Sequence, residues 1–176
     1  MKVLIIEDSE LKLEYTKRIL NKHSITDIVH FNNLTDAVSF FEFSNIFSEI
    51  DFIILDMCFY TSRPDFKNTL NANAGLYFLF HLIEFLEDFE VYNPKKYVLV
   101  HSSEKNYIQN LERILYDIYL KGYQLPSSIK KPIGFSDFIE YYSKQILNSI
   151  FGNACNESEL ETLISDFIST QTNDKQ

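Results

Sequence analysis

The sequence predicts an α/β protein built on a doubly wound, five-stranded parallel sheet. Short apolar runs recur at Val3-Leu4-Ile5-Ile6, Phe52-Ile53-Ile54-Leu55 and Val98-Leu99-Val100. Strands without a polar position belong to sheets covered on both faces. Each run is followed by polar residues and then by helical periodicity, so strands and helices alternate as a parallel sheet requires.

The bulk properties bound the function. A length of 176 residues suits one domain with a sizeable core. The composition is globular, 45% hydrophobic and 23% charged with four Gly and four Pro, and with 16 Phe, 11 Tyr and no Trp its core should be rich in rings. A net charge of −9 argues against a broad nucleic-acid-binding face, which needs clustered Lys and Arg. The two cysteines, Cys58 and Cys155, form no C-x-x-C pair, which argues against a disulfide framework or a cysteine zinc site and fits a reducing cytosol. The four histidines show no metal spacing. No secretory leader is visible, and the longest apolar run, residues 76–83 with His81 inside it, is too short to span a bilayer. The expectation is a soluble, cytoplasmic protein without a membrane partner.

In chain order, the first strand ends in Glu7-Asp8, and Ser9 is placed to cap a helix with Leu11, Tyr15, Ile19 and Leu20 inward. A weaker strand follows at 27–31, then a helix at 34–43. The third strand ends at Asp56. Residues 59–74, polar and interrupted, read as a loop, with Phe59 and Tyr60 at its start and Arg63 and Lys67 within it. Gly75 opens an apolar helix to about residue 88. Strand four, 96–100, delivers His101-Ser102-Ser103, and a long helix runs on to Lys121. A poor fifth strand, Ser127-Ser128-Ile129-Lys130, is stopped by Lys131-Pro132. Ser136 is then expected to cap a helix with Phe138, Tyr142, Ile146 and Ile150 on one face. Beyond residue 150, Asn156 and Glu159 have capping-box spacing ahead of Leu160, Leu163, Ile164, Phe167 and Ile168. This divides the chain into a domain at 1–150 and a C-terminal helical extension at 151–176, packed on the domain or offered to a partner.

In a parallel sheet the residues just past each strand meet along one edge, where open α/β sheets bind ligands. That edge should collect Glu7, Asp8, Asp56, Ser102 and Lys131. Crowded carboxylates repel unless a cation joins them, and an all-oxygen, carboxylate-rich set suits Mg²⁺. Lys131 adds a positive point charge for an anion and Ser102 a hydroxyl donor. The set describes a magnesium-assisted phosphoryl acceptor.

These residues resemble the receiver domain of two-component response regulators, through Val3-Leu4-Ile5-Ile6-Glu7-Asp8, Ile53-Ile54-Leu55-Asp56, Val98-Leu99-Val100-His101-Ser102-Ser103 and Lys131-Pro132. The likeness covers about residues 1–150 and implies a flavodoxin-like receiver fold, here with an extra C-terminal helix. It implies that Asp56 takes phosphate from a sensor histidine kinase or phosphotransfer protein, so that the chain is a signalling phosphoacceptor rather than a true enzyme. Asp8, Asp56 and the Cys58 carbonyl would bind Mg²⁺, with Glu7 acting through water. Ser102 and Lys131 would hold the phosphoryl oxygens, and Glu104 would tune the phosphate's lifetime. The output would be an unknown downstream protein, with a homodimer as a further partner and no direct nucleic acid.

Departures from the pattern are the long stretches between Asp56 and Gly75 and between Ser102 and Lys131, and Ser128 where an aromatic is common. With no output domain in the sequence, the reading is a single-domain receiver. Two alternatives stay open. One is a degenerate receiver that binds partners without phosphorylation. The other is a magnesium phosphohydrolase of the haloacid-dehalogenase type, which places a second Asp where this chain has Cys58. Seen alone, the Glu7-Asp8 pair reads equally as a helix cap, and Lys131-Pro132 as a turn.

Overall fold

The computed structural model describes residues 1–43, 49–60, 70–71, 73–88, 97–103, 106–121 and 134–173. Five parallel strands form the main sheet: β1 (Lys2–Ile6), β2 (Asp27–Phe31), β3 (Phe52–Leu55), β6 (Val98–His101) and β7 (Ile150–Ala154), in the order β2-β1-β3-β6-β7. This is a doubly wound α/β sheet of the flavodoxin-like order, as the strand pattern predicts. Every residue of β3 and β6 is buried, so both faces are covered. On the helix side, α1 (Glu10–Lys22) touches α6 (Glu157–Asn173), while α2 (Leu34–Phe43), α3 (Ala74–Asp88), α4 (Leu111–Leu120) and α5 (Phe135–Ser149) form a second contacting group. Phe80 of α3 lies 4.6 Å from Tyr142 and 6.0 Å from Phe138 of α5, centroid to centroid, which packs the rings as expected. Among the described residues no helix is long and apolar enough to cross a membrane.

The main correction concerns the fifth strand. The sheet's fifth strand is β7, which follows α5 directly, while the stretch expected to form it, 127–130, lies outside the described residues. Ile150, expected on the inner face of a helix, turns instead to extended backbone at φ −85° and ψ 117° and opens the strand. A bulge at Phe151 follows, since Val98 pairs with Ile150 but Leu99 with Gly152. Bulges re-aim side chains, and here the Phe151 ring meets Phe167 of α6 edge-on at 5.2 Å.

Residues 151–173 are therefore part of the sandwich rather than an appendage to it. The expected cap is present: Glu159 N–H donates to Asn156 Oδ1 at 3.0 Å, and Cys155 N–H to Glu159 Oε2 at 2.7 Å. Leu160, Ile164 and Phe167 are buried, and the Phe167 ring packs tilted against Phe52 of β3, 4.8 Å between centroids. The apolar stripe of α6 is spent on this chain's own sheet. At Gly152 a Cβ would meet the Leu163 side-chain methyl, so Leu163 of α6 packs directly over the glycine.

Three smaller differences follow from packing. The 59–74 stretch, expected as loop, contains a short antiparallel ladder between β4 (Phe59–Tyr60) and β5 (Leu70–Asn71), with Phe59 buried. The helix after strand four begins as a 3₁₀ turn (Tyr107–Asn110) before α4. Gly134, not Ser136, is the N-cap of α5.

Deleting residues 150–176 should abolish folding rather than trim an appendage, because it removes an edge strand and uncovers Phe52. Far-UV circular dichroism and urea denaturation check this. A cooperative transition in the truncated chain would return the segment to the status of an extension.

Candidate functional site

Backbone pairing places the acidic groups. Asp56 N–H donates to the Ile6 carbonyl at 3.0 Å, and Glu7 N–H to the Phe31 carbonyl at 3.1 Å. Asp56 and the Glu7-Asp8 pair thus leave neighbouring strands at the same edge. Oxygens of Glu7, Asp8 and Asp56 come within 4.8 Å of one another, with Glu7 and Asp56 buried and Asp8 half-buried. This is the carboxylate cluster expected from the strand ends. It is an all-oxygen donor set of the kind a hard divalent cation takes, and could hold one.

Each carboxylate is anchored. Glu7 Oε1 accepts from the Ser9 amide at 2.9 Å, and the Glu7 carbonyl lies 2.9 Å from His30 Nε2. Ser9 caps α1, accepting from Lys12 N–H at 3.5 Å, so the positive end of the helix dipole points toward the acids. Asp56 Oδ1 accepts from the Cys58 amide at 3.2 Å. The start of α3 presses on the same backbone: Gly75 N–H donates to the Met57 carbonyl at 3.1 Å. A Cβ on Gly75 would lie 2.6 Å from the Asp56 carbonyl oxygen and 2.8 Å from Met57 Cα.

The residue that sequence reasoning missed is Lys12. Its ammonium lies 2.8 Å from Asp56 Oδ2 and 3.8 Å from Glu7 Oε2. Leu11, expected inward, is 75% exposed, and the buried residues of α1 are Thr16, Ile19 and Leu20. Lys12 stands one turn before Thr16, on the line that a helix stacks at i and i+4. The sheet-facing stripe therefore runs 12-16-19-20, and the lysine stem lies along it with its head at the sheet edge. The available signal was that helical spacing, which a search for apolar residues alone passes over.

Leu55 pairs with Val100, so Ser102 leaves the strand beside Asp56 at the same edge. Ser102 is buried, and its amide donates to the Ala154 carbonyl at 3.0 Å. The strand on the far side of Ser102 is β7, and it brings Ala154 and Cys155 to the edge rather than a lysine. Lys131, Arg63, Lys67 and Glu104 lie outside the described residues. Cys58 is half-buried two residues after Asp56.

The electrostatics follow the geometry. Burial, and then the charge of Asp56, raise the Glu7 carboxyl from an ordinary 4.5 to about 8. Burial alone would lower Lys12, but the hydrogen bond and charge of Asp56, with Glu7 behind, outweigh it and hold the ammonium protonated. Burial, aided by the Lys12 charge, pushes His101 below its usual 6.5, toward the neutral imidazole.

Comparisons with known proteins give no family: no family model matches the chain, and no curated protein matches it. Among solved structures, a de novo designed Rossmann 2x3 fold protein, solved by NMR in solution, is similar at 16% identity and a TM-score of 0.45. The alignment covers 96% of this chain and 90% of that one.

Two outcomes are expected. Gly75→Ala should cost about 1–3 kcal/mol, the usual penalty for overpacking a tight contact, because rigid backbone at Asp56 and Met57 must yield. Urea denaturation reads that loss. The second concerns pH. A carboxyl raised on folding contributes stability that is complete below its unfolded value and lost as pH rises through its folded one. The metal-free protein should therefore lose melting temperature between about pH 4.5 and pH 8 on account of Glu7. Glu7→Gln should flatten that decline. An equally steep profile in the variant would place the pH dependence elsewhere.

Proposed function

We propose that the chain is a receiver-type phosphoacceptor: Asp56 accepts a phosphoryl group from the phosphohistidine of a sensor kinase or phosphotransfer protein, and the modified protein changes its binding partners. The observation that carries this reading is the convergence of Glu7, Asp8 and Asp56 oxygens at the carboxyl edge of a doubly wound sheet. Asp56 follows the central strand of the five, and we take it as the nucleophile. An Asp56 oxygen lone pair forms the new O–P bond as the bond from phosphorus to the donor nitrogen breaks, its electron pair leaving with the imidazole.

Asp8, Asp56 and the Cys58 carbonyl would hold Mg²⁺, with Glu7 behind them. Bound there, the ion would neutralise charge on the carboxylates and the transferring group. Ser102, buried beside Asp56, is the hydroxyl assigned to a phosphoryl oxygen; a role for Lys131 on the same group rests on the resemblance alone, since the strand expected to carry it to this edge is replaced by β7. A cytoplasmic location and a protein partner for output belong to this reading. So does a role confined to accepting and losing phosphate, without turnover of other substrates.

A second reading has one observation in its favour. The Lys12 ammonium already pairs with Asp56, which makes the carboxylate less available as a nucleophile and favours a domain that binds partners without being phosphorylated.

Intact mass after incubation with Mg²⁺ and acetyl phosphate separates the two. The wild type should gain one phosphoryl group and Asp56→Asn none, while Asp8→Asn should gain it more slowly through weaker Mg²⁺ binding. No mass change in the wild type at saturating Mg²⁺ would leave the second reading standing. Steady hydrolysis of p-nitrophenyl phosphate would instead make the protein a phosphohydrolase.

A further inference from the structure

Asp56 has two carboxylate oxygens, and both are engaged. Oδ1 accepts the Cys58 amide at 3.2 Å, and Oδ2 holds the Lys12 ammonium at 2.8 Å. Among the described residues Lys12 forms the ion pair on Asp56. The Asp56 side chain is buried to 2% exposure, whereas the Lys12 side chain keeps 30%. The carboxylate is thus fixed in place, whereas the lysine side chain is only partly covered. The lysine stem is a flexible four-carbon chain, so its ammonium can swing by a few ångströms once another cation takes its place on the carboxylates. A backbone amide cannot move so without unwinding the strand end.

We propose that Lys12 is the built-in counter-cation of this site: it gates Asp56 by competing with a divalent cation for the acidic cluster, and then pairs with the phosphoryl group that Asp56 receives. The competition rests on position and charge. The ammonium occupies Oδ2 and lies 3.8 Å from Glu7, so a cation entering the cluster meets a like charge at contact distance. The ammonium must leave Oδ2 before that oxygen can form a bond to phosphorus. Once the bond forms, the oxygens on phosphorus lie where the displaced ammonium can reach them. Transfer then converts an Asp56–Lys12 pair into a phosphoryl–Lys12 pair, with no net change in the lysine's protonation. Charge-assisted hydrogen bonds to phosphate oxygens are among the stronger ones available to an ammonium.

The second half of this proposal rests on the phosphoacceptor reading, and the first does not. The test therefore has two arms on the full chain, with Lys12→Met and Lys12→Arg. In the first arm, Mn²⁺ binding is followed by the paramagnetic signal of the free ion, without any phosphoryl donor. Lys12→Met should bind Mn²⁺ at least about threefold tighter, since a change of that size corresponds to well under the 1.4 kcal/mol of a tenfold effect. Lys12→Arg, which keeps the charge, should stay near wild type. Unchanged or weaker binding in Lys12→Met would overturn the competition. A fall in Lys12→Met stability without metal supports it, because the pair then balances the acids; Mn²⁺ binding is read below the variant's melting temperature.

In the second arm, the rate of phosphoryl gain from acetyl phosphate is measured at saturating Mg²⁺. Lys12→Met should be slower than wild type despite its tighter metal binding, and opposite signs in the two arms are not what simple misfolding produces. A Lys12→Met variant that gains phosphate as fast as wild type, or faster, would overturn the pairing step. A wild type that gains none would overturn the phosphoacceptor reading, while the Mn²⁺ arm still decides whether Lys12 competes for the cluster.

Discussion

Three carboxylates held within 4.8 Å repel one another, and much of the structure near them serves to keep them together. Like charges in a buried crevice raise each other's protonation and cost folding energy unless something offsets them. Three devices do so here. Backbone amides of Ser9 and Cys58 donate to Glu7 and Asp56. The N-terminus of α1 turns its positive end toward the acids. Lys12 adds a full charge at 2.8 Å. The first two are fixed by the fold, and the third can move.

The scaffold makes this crowding possible because neither half of it can relax independently. β1 and β3 are buried along their apolar residues and locked in register, from Val3 opposite Phe52 to Ile6 opposite Leu55. Withdrawing Asp56 from Glu7 would break that register and expose apolar residues on both faces. From the other side, the helix start at Gly75 sits against the Asp56–Met57 backbone too closely for any side chain. The strain of the site is thus borne by the core.

Parts of this were legible in the residues alone. The strands β1, β3 and β6 announce themselves as apolar runs, and a parallel sheet brings their ends together whatever the helices do. Glu7, Asp8 and Asp56 could therefore be named as one cluster, and Ser102 placed beside it. The cap on α6 was readable as well, because Asn156 and Glu159 satisfy each other's neighbours locally. β7 was not readable. Ile150-Phe151-Gly152-Asn153-Ala154 contains Gly and Asn, which strands avoid, and it leaves α5 without a turn between them. Its strand character comes from pairing with β6 and from Phe151 and Gly152 packing on α6.

The sequence by itself determined the fold class and the acidic cluster, since both follow from short-range patterns: apolar runs for buried strands, and polar residues at their ends. The tertiary structure decided which segment closes the sheet and which cation faces Asp56. Both depend on how a helix is rotated or where an edge strand docks, and those are set by packing against residues far away in the chain. A rotation of α1 of about one residue exposes Leu11 and brings Lys12 to Asp56. Helical periodicity near the start of a helix leaves that rotation open. Contact of Thr16, Ile19 and Leu20 with the core chooses it.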